Sequence, residues 1–364
     1  MAKIGLKIDS VKQILNKNNR WSICVGAGIN KGLMPDWYEL IDKLMKQKCS
    51  ETDLIELERF KKMGFSADAM LQAIKNYSKE DDNDFLNDLA SLLYEKIDNI
   101  LTPKELEQFI DLLDRNTASK IYNHEESVSN IVKKCFSDLT ANQIAEAIVS
   151  SMIDGNLPYE ILTFNGDDIL YMLLCYHYYM KTKDATNHFK TLINSLTIIE
   201  NNITYVVHCH GVIPHNNMKH FKGKMANDKL VFSEESYLQL ANNTISFQAN
   251  HFISACMNSS IVFVGVSLTD SNMRKWLSWT HKLKINDLKE NKIDDIYDAT
   301  EHYWINKKTD SVSMKWIEHS VAHLGIRLIW INDWNEVGIV LKKILGVKII
   351  KKKNYKSKYF IRKK

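Results

Sequence analysis

The chain has 364 residues, 45% of them hydrophobic and 25% charged, with 48 basic against 44 acidic side chains. These proportions exclude a disordered chain, and 6 cysteines in this length exclude a disulfide-stapled mini-protein. No run approaches the roughly 18 apolar residues of a membrane helix. The opening MAKIGLKIDS has neither an apolar core nor a small-residue cleavage site, so a cytoplasmic protein with reduced thiols and no membrane contact is expected. The net charge of +4 conceals an asymmetry. From Lys342 to the end there are 11 Lys or Arg and no acid, so the rest of the chain carries −7; Glu51 to Arg115 alone holds 16 acidic and 8 basic residues. An acidic body with a basic tail is not the charge pattern of a nucleic-acid-binding face. The tail reads as a solvated terminus, and contact with nucleic acid is expected only through it or indirectly.

In chain order, Ser10 to Asn19 has the spacing of a short amphipathic helix. Trp21-Ser22-Ile23-Cys24-Val25 is an apolar run that stops at Gly26-Ala27-Gly28, the pattern of a buried strand entering a tight turn. Pro35 followed by Asp36-Trp37-Tyr38 then opens a helix. From about Leu40 to Ser150 Gly64 and Pro103 are the only glycine and proline, and apolar residues such as Phe85, Leu89, Leu92 and Leu93 recur at helical spacing. Thr102-Pro103 is a helix start with Thr as N-cap. A helical insertion is therefore expected over residues 40–150. Strand-like runs return at Tyr159 to Phe164, Thr204 to Val207, Ile261 to Val266 and Ile326 to Ile331, separated by helical patterns. Strands alternating with helices predict a doubly wound, Rossmann-like parallel sheet, formed by residues 1–39 and 151–345, followed by a basic tail over 346–364. Ligands of such sheets bind beyond the carboxyl ends of the strands.

Four such ends carry candidate chemistry. After the first strand, Gly26, Ala27 and Gly28 lead to Asn30 and Gly32. The glycines let a backbone approach a pyrophosphate, and the helix behind Pro35 offers N–H groups to it; a plain strand-to-helix turn explains the same residues. After the second strand come Thr163, Asn165, Asp167 and Asp168. Asn165 can bond a ribose hydroxyl or a water, and Asp167 can accept from a hydroxyl or orient Asn165. Asp168 reads as a cap of the helix beginning at Ile169. After the third come His208-Cys209-His210-Gly211, where His210 suits a general base and His208, earlier in the strand, suits the core. The absence of any CxxC pair argues against a metal site there. After the fourth come Gly265, Ser267 and Asp270: Gly265 permits close approach, Ser267 and Asp270 suit phosphate and ribose, and either can cap the helix holding Met273 and Trp276.

Taken together, the order and spacing of these four places resemble the sirtuin NAD-binding domain, particularly the sirtuin-like domains of bacterial anti-phage proteins. Gly26-Ala27-Gly28-Ile29-Asn30 and Gly32-Leu33-Met34-Pro35-Asp36-Trp37 match the family's opening; Thr163, Asn165 and Asp167 match its T.N.D motif. His210-Gly211 match its catalytic pair, Leu230 to Tyr237 its next strand and helix, and Gly265, Ser267, Leu268 and Asp270 its last motif. The resemblance implies a site for NAD as substrate, with Asn165, His210 and Asp167 catalytic. Gly26, Ala27, Gly28, Asn30, Pro35, Asp36, Trp37, Thr163, Gly265, Ser267 and Asp270 would bind NAD. The four-cysteine zinc ribbon of deacylating sirtuins has no counterpart, so no metal is expected. Asn30 replaces the usual Ser, and Tyr38 stands where deacylases carry Arg. What the resemblance implies is an NAD hydrolase that releases nicotinamide and ADP-ribose as an abortive-infection effector. It would act as a homo-oligomer, paired with a protein such as a HerA-type ATPase, with the insertion as contact surface or as a lid. A protein deacylase and a nucleotide-binding regulatory subunit are the alternatives. A nuclease is disfavoured because no metal-ligand carboxylate cluster is visible.

Overall fold

The computed structural model describes Leu15 and residues 19–114, 116–194, 199–218, 230–242, 246–291 and 302–347. Seven strands form one sheet among these residues: β1 (Trp21–Val25), β2 (Ile161–Thr163), β3 (Phe189–Leu192), β4 (Thr204–His208), β5 (Ser260–Val264), β6 (His302–Lys307) and β7 (Ile326–Ile331). Their order is β3-β4-β2-β1-β5-β6-β7, and every pairing is parallel. β1 is central because all five of its residues can be buried, a requirement of a strand covered on both faces. Its register aligns Val25 with Thr163 of β2 and Val264 of β5. The three strands thus end at one level, with chain leaving β1 between its two neighbours, as at the switch point of doubly wound sheets.

The helices from the insertion are α1 (Trp37–Lys48), α2 (Leu57–Lys62), α3 (Ala67–Ser78), α4 (Asp82–Ile100), α5 (Pro103–Leu112), α6 (Thr117–Asn123), α7 (Glu125–Cys135) and α8 (Thr140–Ile153). They are followed by α9 (Ile169–Thr182), α10 (Glu234–Asn242), α11 (Phe247–Asn258), α12 (Ser271–Glu290), α13 (Ser311–Ala322) and α14 (Val337–Ile344). Thr102 caps α5 in a capping box with Glu105, with Pro103 at its first position, as the sequence predicts. Apolar residues of the insertion, including Leu44, Phe85, Leu89 and Phe109, join Ile23, Val25, Val262 and Val264 in one hydrophobic core on one face of the sheet. Cys24, Ile261 and Phe263 point to the other face, where Phe252 and Trp276 cover them. The insertion is thus one of the sheet's covering layers.

Two strands escaped the sequence reading. β3 is a four-residue edge strand with a half-buried middle. β6 holds His302, Lys307 and Asn306 among its six residues, and its buried His302 accepts a hydrogen bond at Nδ1 from Ile261 N, 3.2 Å away. β3 has no apolar run, and that of β6 is only three residues, Tyr303-Trp304-Ile305. Leu230 to Phe232, expected as a strand, has no regular structure; only the helix after it, α10, forms. Most of the expected Ser10–Asn19 helix and of the 346–364 tail lies outside the described residues. No described helix is long and apolar enough to cross a membrane.

Candidate functional site

Behind β1 the chain makes a short 3-10 turn over Ala27–Asn30. Its glycines bring it against the chain leaving β5: Gly26 N–H bonds Val264 O at 3.3 Å and Gly28 N–H bonds Gly265 O at 3.0 Å. A Cβ on Gly26 would lie 2.8 Å from Gly265 O, and one on Gly265, itself at φ +66°, 2.7 Å from Ile29 N. The close approach that the glycines permit is therefore backbone to backbone, and the Gly26 and Gly28 N–H groups already have acceptors. Gly26→Ala is expected to cost about 1–3 kcal/mol through overpacking, read as a lowered unfolding midpoint in urea without a change in the m-value.

The turn delivers Asn30, 1% exposed, to the chain beyond β2. Its Nδ2 donates to both oxygens of Asp167, at 3.0 and 3.1 Å. Asp167 Oδ1 also accepts from Ile169 N at 3.1 Å and so starts α9. Asp167, not Asp168, makes the capping turn. The Asp168 side chain turns into the sheet instead, bonding His208 Nε2 and Thr191 Oγ1, each at 2.9 Å. Nor does Asp167 hold the Asn165 amide; Asn30 occupies its carboxylate. Burial pushes the Asp167 carboxyl up to about 6, against the opposing bonds from Ile169 N and Asn30. Thr163 is a turn residue, its Oγ1 accepting from Asn165 N at 3.1 Å.

Asn165, 4% exposed, keeps its carbonyl near His208 Nδ1 at 3.3 Å, while its side-chain Oδ1 is buried without a hydrogen-bond partner, as is Asn30 Oδ1. Asn165 and Asp167 border a cavity that opens to solvent, with Ala27 and Pro35 also in its lining. The remaining walls are mainly apolar: Met34, Trp37, Leu40, Leu93, Phe164, Ile213 and Phe232, with Trp37 and Phe232 rings 4.6 Å apart. Small-molecule sites have such an apolar wall with few polar groups. The wall at Ile213 is braced by the insertion. Tyr94 of α4 donates to Ile213 O at 3.1 Å, His215 pairs with Asp98 at 3.1 Å, and Asn216 Nδ2 donates to Asn87 O at 3.0 Å. Nothing in the spacing of α4 distinguishes Tyr94 and Asp98 from ordinary helix residues.

His210 stands behind the cavity. It is 4% exposed, and its ring meets Phe164 edge-on at 4.7 Å. Asp270 Oδ2 is 3.4 Å from its Nε2, and the Tyr237 hydroxyl is 3.4 Å from each ring nitrogen. Tyr237 was legible only as part of a longer motif. Asp36 caps α1 by accepting from Tyr38 N and Glu39 N, both at 3.0 Å. Its carboxylate therefore stands where an anion at that helix end was expected. Ser267 is exposed and bonds Thr269 Oγ1 at 2.7 Å. The predicted residues thus fall into Asn165 and Asp167 in the cavity wall, with Asn30 bonded to Asp167, a His210–Asp270 group beside Phe164, and Gly26, Gly28 and Gly265 as packing contacts. Among the described residues, no group of three or more His, Cys, Asp or Glu is arranged to hold a metal.

A family model of the SIR2-like domain matches residues 160–327. That span holds Asn165, Asp167, His210, Gly265 and Asp270, and excludes β1 and the insertion. No curated protein matches the chain. Residues 160–327 are thus similar to a SIR2-like domain, and the parallel α/β sheet agrees with that similarity. SIR2-like domains bind NAD, so an NAD-related function fits this site.

Proposed function

We propose that the chain hydrolyses the nicotinamide–ribose bond of NAD. The observation that carries this reading is Asn165 Oδ1, a buried acceptor left without a protein partner in the wall of an apolar cavity. Leaving such an atom unpaired costs about 1–3 kcal/mol, and a ligand donor removes that cost. The cavity lining supports the nicotinamide end of NAD as occupant: apolar and aromatic walls for a ring, and the amide oxygen of Asn165 for an N–H or O–H donor. NAD supplies a cationic ring that departs as neutral nicotinamide, so no strong protein nucleophile is required. Asn165 Oδ1 accepts from a ribose hydroxyl or from the water that replaces nicotinamide at the anomeric carbon. His210 takes the proton that this water loses, directly or through ribose hydroxyls. Trp37 and Phe232 keep other water from the cavity. One NAD and one water give one nicotinamide, one ADP-ribose and one proton. The setting we propose is bacterial defence against phage, as an oligomer held inactive by a partner such as a HerA-type ATPase, with the insertion as the contact surface.

Deacylation is the rival chemistry. It requires a groove for an acyl-lysine peptide, and Leu230–Phe232 offers no strand for one edge; Val231 N–H bonds His210 O at 3.0 Å. Incubation of the protein with NAD and an acetyl-lysine peptide separates the two. ADP-ribose formed independently of the peptide is expected. O-acetyl-ADP-ribose formed in step with peptide deacetylation would identify a deacylase instead.

A further inference from the structure

Asp270 was expected to touch ribose, but the structure turns it elsewhere. It sits at the N-cap of α12, where Oδ1 accepts from Met273 N at 2.8 Å. That bond leaves Oδ2 facing His210 Nε2 across 3.4 Å, with side-chain exposures of 13% and 5%. Oδ2 is buried without a hydrogen-bond partner, and neither Asp270 nor His210 is among the residues lining the cavity. Burial pushes the carboxyl up, but the His210 imidazole beside it and Met273 N outweigh burial and hold it below its ordinary value. The ring is confined on its other sides by Phe164 and Tyr237.

We propose that Asp270 is the positioning residue of His210: its unpartnered Oδ2 is the acceptor to which the Nε2–H of the imidazole turns when the site is in use, which fixes the tautomer and leaves Nδ1 as the nitrogen that takes the proton. The helix cap makes this possible. With Oδ1 committed to Met273 N, the second oxygen cannot rotate away without breaking the cap, so α12 sets its direction. A base whose tautomer is fixed by a buried carboxylate needs no reorganisation when it accepts a proton. The inference rests on the reading of His210 as base, and it goes further by assigning the nitrogen and the group that selects it.

Asp270→Asn tests it. Asn also caps helices well, so its Oδ1 stays on Met273 N and its NH2 faces His210. Nε2 must then accept, the ring proton moves to Nδ1, and the base is blocked. The expected result is a loss of kcat of roughly 10²–10⁴-fold with the affinity for NAD unchanged in calorimetry. Asp270→Ser, which keeps a capping oxygen and deletes Oδ2, should also lose kcat at unchanged affinity. Weakened NAD binding in either variant would make Asp270 a ribose ligand, and unchanged kcat would make it a cap only; both overturn the proposal. NMR with 15N-labelled histidine reads the tautomer without any turnover, His210 being assigned by its absence in His210→Gln. Nε2–H in the wild type and Nδ1–H in Asp270→Asn are expected. The same tautomer in both would overturn the proposal. If the wild type leaves NAD intact while the tautomer switches, the hydrolase reading fails and the positioning role stands.

Discussion

Asn165→Ala lowers NAD turnover by roughly 10²–10⁴-fold without lowering the unfolding temperature, and His210→Ala does the same to turnover. The two halves of the first expectation come from one atom. Asn165 Oδ1 is buried with no hydrogen-bond partner, so it contributes nothing to the folded state and costs desolvation. Its backbone carbonyl, 3.3 Å from His208 Nδ1, survives the substitution. Removing the amide should therefore leave stability unchanged or raise it slightly. Turnover must fall if that oxygen holds a ribose hydroxyl or the attacking water. His210 packs against Phe164 and Tyr237, so its removal also costs packing, and Asn165→Ala is the cleaner of the pair. Nicotinamide release and thermal unfolding, measured on the same preparations, check both. An Asn165→Ala variant that turns over at the wild-type rate would remove Asn165 from the chemistry.

Asp167→Asn stabilises the protein by about 3 kcal/mol at pH 8 relative to its effect at pH 4. The folded-state carboxyl is raised to about 6, from an ordinary 3.8, chiefly by burial. A carboxyl raised in the folded state binds a proton that the unfolded chain has already released. The stability this gives is complete below about pH 4 and is lost as pH rises through 6. Asn carries no charge and escapes that loss. It also fits the local bonds: its Oδ1 still accepts from Ile169 N, and Asn30 can turn its amide so that its now unpartnered Oδ1 accepts from the new NH2. The substitution also removes a carboxylate from the cavity wall, so turnover should fall as stability rises, the usual opposition at functional sites. Urea unfolding of both proteins at pH 4 and 8 checks the sign. Equal stability differences at the two pH values would mean that Asp167 is not a buried, strained acid.

The legible parts of the fold were those where a single local force decides. β1 is five consecutive buried residues, β7 spans the expected Ile326–Ile331, and Thr102-Pro103 encodes its own helix start. β3 and β6 were missed because their membership in the sheet depends on neighbours. Buried His302 takes a hydrogen bond from Ile261 N of the neighbouring strand. At the site, the residue types at the strand ends were legible and their partners were not. Asn30 and Asp167 are 137 positions apart, and no local pattern announces that they share two hydrogen bonds. The glycines of the first turn have two possible reasons, a phosphate or another backbone. Only the 2.8 Å that would separate a Cβ on Gly26 from Gly265 O points to the packing role.

The central claim is that this site cleaves NAD with His210 as its base. The most direct measurement is NAD loss against nicotinamide and ADP-ribose formed, for the purified wild type and His210→Ala, with the mass of each species determined by size exclusion on the same samples. One nicotinamide and one ADP-ribose per NAD consumed by the wild type, and neither formed by His210→Ala, is the predicted result. NAD left intact by every oligomeric form of the wild type, or consumed equally by His210→Ala, would contradict it.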